Sequence, residues 1–295
     1  MSEKQHLSLD EIPLRRWIAL IAADFVVGEL IATVIVVALR CINIEGEWSW
    51  LPKAIENYIP FIALFVMFVV FLKAICKTTL REFLVGEGNR IDWRQFGIIT
   101  VLYLAGFLVV NFVSTGFCKE LSLNDAPVAT VAVNFVIALA CTWMQTSWEE
   151  LVFRGTALRW SCGNKIRVCA RSMIAAVVIS AAFMSVHLFN PEVTSQSNMV
   201  DIVAMALCYF FAGFFMYVVD LAFGDLMPGC AIHWINNFVS FAVINQVGTA
   251  LQTQAILIDH TSINGVMMLL TTFIAYAPVL IYAAVHWKKA RAAEA

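Results

Sequence analysis

Long apolar runs separated by short polar segments make up most of this chain. A membrane-spanning helix needs about 20 mostly apolar residues, and the backbone polar groups of a spanning segment must be satisfied within it, which favours helices. Eight runs meet this length: 17–39, 58–76, 96–115, 128–149 (continuing as helix to about 160), 171–189, 200–222, 227–246 and 263–287. The pattern therefore predicts an all-α fold, a polytopic membrane helix bundle with about eight transmembrane helices.

Composition supports the bilayer as the solvent for much of the chain. Hydrophobic residues make up 61% of the 295 residues and charged residues 14%, with a mean hydropathy of +0.81. A soluble domain of this size cannot hide so much apolar surface. The net charge of −2 provides no basic surface for binding nucleic acid. These values exclude a cytosolic enzyme, a disordered scaffold and a nucleic-acid-binding protein.

The positions of the basic residues predict an orientation. Of the 19 Lys and Arg residues, all except Arg40, Lys53 and Lys119 lie in the two termini, in the even-numbered connections, or near the ends of the predicted spans that adjoin these connections. Basic residues collect on the cytoplasmic side of membrane proteins, so we expect both termini in the cytoplasm. In the second connection, an amphipathic piece with Leu80, Phe83 and Leu84 is expected at the membrane interface. The compact chain favours a prokaryotic plasma membrane.

Ionisable residues inside the predicted spans are candidates for function, because burying a charge in a membrane is costly. They are Asp24, Glu29, Glu149, Glu150, Arg154, His187, Asp220 and His233. Asp24, Glu29 and Asp220 have no assigned role, and our default for them is snorkelling or hydrogen bonding between helices.

The fourth predicted helix carries two adjacent glutamates. Glu150 and Arg154 are four residues apart and share a helical face, so they can neutralise each other while buried. Glu149 lies about 100° around the helix and has Phe153 rather than a cation one turn later. One glutamate is therefore expected in an ion pair, which alone could be purely structural. The other is left to act as a general base or a metal ligand.

Two histidines occupy the helices that follow. Phe183 and His187 share a face of the fifth span, and His233 and Asn237 share a face of the seventh. Imidazole and carboxamide groups can stabilise an oxyanion, and two histidines with a glutamate could hold zinc with one open position. At 1.5 Å per residue, His187 lies about 24 Å from Arg171 but His233 only about 8 Å from Pro228. Convergence therefore requires that the fifth span starts below the membrane or that the helices tilt strongly.

The ordered motifs EExxxR (Glu149, Glu150, Arg154), FxxxH (Phe183, His187) and HxxxN (His233, Asn237) resemble those of the CAAX protease and bacteriocin-processing family, also called the Abi family. The resemblance includes the type II CAAX prenyl endopeptidase. It divides the chain into N-terminal transmembrane helices 1–3 (1–127), a protease core (128–246), and a C-terminal helix 8 with a short basic tail (247–295).

The resemblance implies an intramembrane endopeptidase acting on a peptide, or on a prenylated or otherwise membrane-associated protein. By analogy, Glu149 and His187 activate water, while His233 and Asn237 stabilise the oxyanion. Glu150, Arg154 and Phe183 are implied to support the site. The family is described both as zinc-dependent and as metal-free, so Glu149, His187 and His233 could bind Zn²⁺ or act without it.

Two other function classes remain open at this point. A proton-coupled transporter would account for Asp24, Glu29 and Asp220, but the chain has no pair of matching Gly/Pro-interrupted segments of the kind that inverted repeats supply. A non-catalytic membrane protein, such as a bacteriocin-immunity factor, is the second alternative. From the positions of Glu149 and His233 along their helices, we expect hydrolysis within the bilayer or just on its cytoplasmic side.

Overall fold

The computed structural model describes residues 7–42, 46–117 and 120–294. Within these ranges, seven helices are long and apolar enough to cross a membrane, which confirms an all-α polytopic bundle. Their helical cores are α1 (Leu14–Arg40), α2 (Leu51–Phe71), α4 (Trp93–Phe117), α5 (Val128–Glu149), α7 (Ala170–His187), α9 (Met199–Phe223) and α11 (Gly265–Glu294). Among the residues used to predict the orientation, Lys4 and Lys119 lie outside the described ranges, and the orientation stays a prediction.

Shorter elements complete the bundle. The short helices are α3 (Leu80–Val85), α6 (Thr156–Cys162), α8 (Pro191–Thr194) and α10 (Met227–Ala242). A 3₁₀ turn spans Gly46–Trp48. A π-helical turn, Leu72–Cys76, extends α2, and a second, Glu150–Gly155, joins α5 to α6.

The seventh predicted span differs from the expectation. Its helix, α10, has 16 residues and is therefore about 24 Å long, shorter than the roughly 30 Å hydrocarbon layer. It packs against α4, α5 and α9, and Ala231 and Ile232 are fully buried. The apolar run at 227–246 thus reflects burial inside the protein, and its last three residues form a strand.

A small sheet, which the sequence pattern did not predict, caps one end of the bundle. Its strands β1 (Leu121–Leu123), β2 (Ile244–Gln246) and β3 (Leu257–Asp259) lie in the order β1-β3-β2. β1 runs antiparallel to β3, with Leu121 opposite Asp259, and β2 runs parallel to β3, with Ile244 opposite Leu257. Strands of three residues are too short to show the alternation by which strands are recognised in sequence.

The two ends of the bundle differ in the segments that form them. The sheet end comprises the segments 46–50, 120–127, 188–198 and 243–264. The opposite end, which we call the basic end, comprises 7–13, 77–92, 163–169 and 224–226, and its loops are joined by hydrogen bonds. The Leu9 N–H donates to Glu87 over 2.5 Å, and the Leu226 N–H donates to the Leu84 carbonyl over 3.0 Å.

The amphipathic piece near Leu80 is helical, as α3, and its location at the membrane interface stays a prediction. The Phe83 side chain is fully buried, and its ring contacts Trp17 and Phe68 at centroid distances of 5.7 Å. α3 therefore inserts its apolar face between α1 and α2.

Buried apolar side chains form two clusters, both of which include residues of α9. One cluster contains Trp17, Phe68 and Trp148, and the other contains Tyr103, Ile232 and Tyr276. Glu149 directly follows Trp148 in the chain, and His233 directly follows Ile232. The predicted site residues therefore lie where the two clusters meet.

Candidate functional site

A buried ion pair forms the back of the candidate site. Arg154 donates from Nε and Nη2 to the two carboxylate oxygens of Glu150, and each side chain is 1% exposed. The predicted pairing of these two residues is therefore formed. Glu150 also begins the π-helical turn. Such turns are rare in proteins overall, and those that occur are often found at functional sites.

His233 lies between the two glutamates. Its Nδ1 is 2.5 Å from Glu150 Oε1, and its Nε2 is 3.6 Å from Glu149 Oε2. Because Glu150 is a carboxylate and can only accept, Nδ1 carries the hydrogen and the ring is fixed with Nε2 toward Glu149. The expectation that Glu150 is occupied by Arg154 alone was incomplete, since Glu150 also orients His233.

Glu149 has the properties expected of the reactive carboxylate. It is 6% exposed, and among the described residues its Oε2 has no hydrogen-bond partner. The neighbouring Gln145 lies one helical turn earlier and lines the same cavity. A buried carboxylate oxygen without a partner is costly, which suits a group whose partner is a reactant.

Asp220, which had no assigned role, lies behind the ion pair. It is fully buried and accepts a hydrogen bond of 2.7 Å from the Gly229 backbone N–H in the first turn of α10. A Cβ at Gly229 would lie 2.7 Å from Asp220 Oδ2 and 3.0 Å from Glu150 Oε2. Glycine at this position therefore permits the two carboxylates to approach α10.

The remaining acids of the predicted spans lie on α1. Asp24 is fully buried and accepts a hydrogen bond of 2.7 Å from Trp148 Nε1, so it joins α1 to α5 next to Glu149. Glu29 lies on the exposed face of α1.

His187 ends α7 and is oriented by its own helix. Its Nδ1 lies 2.7 Å from the Phe183 carbonyl, which can only accept, so Nδ1 carries the hydrogen and Nε2 keeps its lone pair. The imidazole stacks on Tyr209 with ring centroids 4.5 Å apart, and the Tyr209 hydroxyl donates to Glu192. Sequence reasoning missed Tyr209 and Glu192, because a tyrosine in an apolar run and one acid in a loop are common.

Phe183 brings the three motifs into contact. Its ring centroid is 4.2 Å from that of His187 and 6.1 Å from that of His233, and the Arg154 guanidinium carbon lies 4.9 Å from it. The two histidines therefore approach the same ring despite the difference in depth expected from their positions along α7 and α10.

The site opens into a cavity of about 720 Å³, whose wall includes Glu149, His187, His233 and Asn237. Asn237 Oδ1 accepts a hydrogen bond of 3.0 Å from Asn236, which leaves its amide nitrogen as the donor. The cavity continues to the sheet end, where its wall is formed by β2 and by residues 259 and 261–264. The arrangement can therefore place a base, two imidazoles and an amide around one bound molecule.

The zinc hypothesis names Glu149, His187 and His233. Among the residues that the structure describes, no three His, Cys, Asp or Glu side chains are grouped so that they could hold a metal ion. These three side chains do not form such a group in this structure, and zinc binding stays a prediction.

Comparison with known proteins confirms the resemblance. Residues 126–239 match the family described as Type II CAAX prenyl endopeptidase Rce1-like. The matched segment contains all three motifs, and the family is one of proteases, which supports an intramembrane protease acting in the lipid bilayer. No curated protein and no solved structure matches the chain. The boundaries drawn above at residues 127 and 246 stay a prediction.

Proposed function

We propose that the protein is an intramembrane endopeptidase in which Glu149 activates the attacking water. The observation that carries this proposal is a buried carboxylate whose Oε2 has no hydrogen-bond partner among the described residues, on the wall of a cavity of about 720 Å³. It faces an imidazole whose orientation is fixed from behind by Glu150. The substrate is a membrane-associated protein or a peptide.

The proposed reaction needs one base that becomes an acid. Glu149 removes a proton from water as the water oxygen attacks the peptide carbonyl carbon, giving a tetrahedral intermediate. The C–N bond then breaks, and Glu149 returns the proton to the departing amine nitrogen. Water is consumed, and the products are a carboxyl group and an amine. His187 Nε2, with its free lone pair, accepts a hydrogen bond from the second water hydrogen and so orients the water for attack.

His233 and Asn237 are proposed to stabilise the oxyanion. Asn237 donates from its amide nitrogen. His233 gives its Nδ1–H to Glu150, so donation from Nε2 to the oxyanion requires a ring that carries a second proton. In a site shielded from water, each such donor is worth roughly 10²–10³ in kcat. Glu150 and Arg154 act through His233, because their pairing holds the Glu150 carboxylate in place.

The test compares new protein termini in membranes of cells that produce the parent, Glu149→Gln, His187→Ala or Glu29→Gln. Substitution of the base or its partner is expected to lower cleavage by about 10²–10⁴-fold. Glu29→Gln is the matched control, because it removes the same charge from an exposed position on α1, and it should cleave as the parent does. The assignment fails if the Glu149→Gln variant produces the same new termini at the same rate.

Peptidase activity of the purified protein separates the carboxylate mechanism from the zinc mechanism. Purified protein that is dialysed against a chelator and contains no zinc by elemental analysis should retain full activity. Activity that is lost on chelation and restored by zinc would replace the water activation proposed here by a metal-bound one.

A further inference from the structure

The cavity reaches the surface at the sheet end of the bundle. Thr249, Thr261 and Asn264 line it there, together with Asn57 near the start of α2 and Asn190 before α8. The loops of the basic end do not contribute to its wall within the described residues. A substrate that reaches Glu149 through this cavity therefore enters from the end that carries few basic residues.

In the described part of the chain, the side chains of the cavity wall that carry a permanent charge are acidic. Among the described residues, no Lys or Arg lines it, whereas Glu149, Glu192 and Asp259 do. Arg154 lies behind Glu150 and is neutralised by it. A substrate carboxylate bound here would lose its hydration without gaining a positively charged partner, so its binding is unfavourable.

Glu192 gives the cavity a buried acid of its own. It is 7% exposed, and its Oε1 accepts from Tyr209 and Asn190. Its other oxygen, Oε2, has no hydrogen-bond partner among the described residues. The group is therefore only half satisfied by the protein and attracts a cation.

The surface around the mouth of the cavity carries negative charge, as the wall of the cavity does. The acidic residues of this end are Glu56, Glu120, Asp125 and Asp201 toward the surface, and Glu192 and Asp259 buried beneath it. In the described part of the chain, the basic residues here are Arg40 and Lys53, and both pair with Glu56 at 3.3 and 3.7 Å. An acidic rim around an apolar-walled cavity concentrates cations and raises their rate of association.

We infer that the cavity takes a cationic peptide segment that enters from the sheet end, rather than a segment whose free carboxylate lies near the scissile bond. The inference rests on the proposed function for the chemistry at Glu149, but it concerns which peptide binds. Apolar residues of the wall such as Phe61, Phe107 and Met205 accept the uncharged side chains, and the acidic groups accept the flanking Lys or Arg.

The experiment uses the full chain in detergent and two fluorescent probes with amidated C-termini. Each probe is a stretch of alanine and leucine, flanked by two lysines in one and by two glutamates in the other. We expect the lysine probe to bind about tenfold more tightly at low ionic strength, and the difference to shrink as salt is added. Cleavage of both probes is followed in parallel.

A charge reversal at the rim tests the source of the preference. Glu120 is exposed, and its backbone N–H bonds to Thr261, which lines the cavity. Glu120→Lys should weaken binding of the lysine probe by roughly threefold. Glu11→Lys makes the same change in net charge at an exposed position of the basic end and should leave binding unchanged.

The outcomes separate the two proposals. Preferential binding of the lysine probe without cleavage supports the cationic ligand and counts against the peptidase. Cleavage of both probes with equal or stronger binding of the glutamate probe supports the peptidase and overturns the cationic ligand. Binding of neither probe, or equal loss in the Glu120→Lys and Glu11→Lys variants, also overturns it.

Discussion

At the level of single residues, the stacking of His187 on Tyr209 is the contact whose removal is most informative. The ring is held by Tyr209, whose hydroxyl donates to Glu192. We expect Tyr209→Leu to lower kcat by about tenfold with little change in KM, because a misplaced catalytic group costs rate rather than binding. Tyr209→Phe keeps the stacked ring, so its kcat should fall less than that of Tyr209→Leu.

A purely structural role for Tyr209 would not produce this pattern. The pH profile of kcat/KM should shift for Tyr209→Leu, since the environment of the imidazole changes, and stay near that of the parent for Tyr209→Phe. The control is Tyr282→Leu, because the Tyr282 ring contacts Phe223 and does not line the cavity. A Tyr209→Leu variant with the kcat and pH profile of the parent would contradict the role.

Asp225, in the turn between α9 and α10, makes the stability of the protein depend on pH. Burial raises the pKa of its carboxyl group to about 6, and this outweighs the hydrogen bond from the Met227 N–H and the nearby Arg159. Since the raised pKa favours the protonated form in the folded state, stability is greatest below about pH 4 and falls as pH rises to about 6. This contribution is at most about 3 kcal/mol.

Asp225→Asn keeps an acceptor for the Met227 N–H and removes the titration. We expect its thermal unfolding temperature at pH 7 to exceed that of the parent, and the decline between pH 4 and 6 to be smaller. Asp125→Asn removes the same charge from an exposed side chain at the sheet end and serves as the control. An unchanged decline in Asp225→Asn would show that other groups cause it.

At the level of elements, run length predicted the helices that face lipid and failed for those that do not. α1 and α11 appear in the sequence as long apolar runs because lipid surrounds most of each helix. The run at 227–246 is equally apolar but is buried inside the protein, so its composition does not distinguish a span from a short core helix. The π-helical turn at Glu150–Gly155 left no signal, because its residues fit an α-helix equally well.

The packing of α4 against α11 depends on Gly106. A Cβ at this position would lie 2.4 Å from the Ala275 carbonyl oxygen, and backbone cannot move aside as a side chain can. We expect Gly106→Ala to separate the two helices and to destabilise the protein by about 1–3 kcal/mol, measured by thermal unfolding in detergent. Gly97→Ala, on the same helix with nothing within 4 Å of the added carbon, should be neutral or stabilising. Equal effects would contradict the close contact.

For the whole molecule, the motifs predicted which residues meet but not where their cavity opens. Glu149, His187 and His233 were expected to share one chamber, and they line one cavity. The opening at the sheet end could not be predicted, because it is formed by loops and three-residue strands with no periodic pattern. If the basic end faces the cytoplasm, this opening lies on the opposite side of the membrane from the one expected for hydrolysis.

Two native cysteines can establish which end faces the cytoplasm. Cys41 is exposed, and it follows α1 on the side of the sheet end. Cys169 precedes α7 at the basic end and is partly exposed. Because positive charge favours the cytoplasmic side, a membrane-impermeant maleimide added to intact cells should label Cys41 and leave Cys169 unlabelled until the membrane is permeabilised.

Mass spectrometry of the two cysteine-containing peptides distinguishes the sites. Cys41→Ser should remove the label at that position and leave labelling of Cys169 after permeabilisation unchanged. Labelling of Cys169 but not Cys41 in intact cells would invert the orientation and place the cavity mouth in the cytoplasm. The acidic rim would then face cytoplasmic peptides, and the cationic preference would be retained, because it depends on the wall of the cavity and not on the side of the membrane.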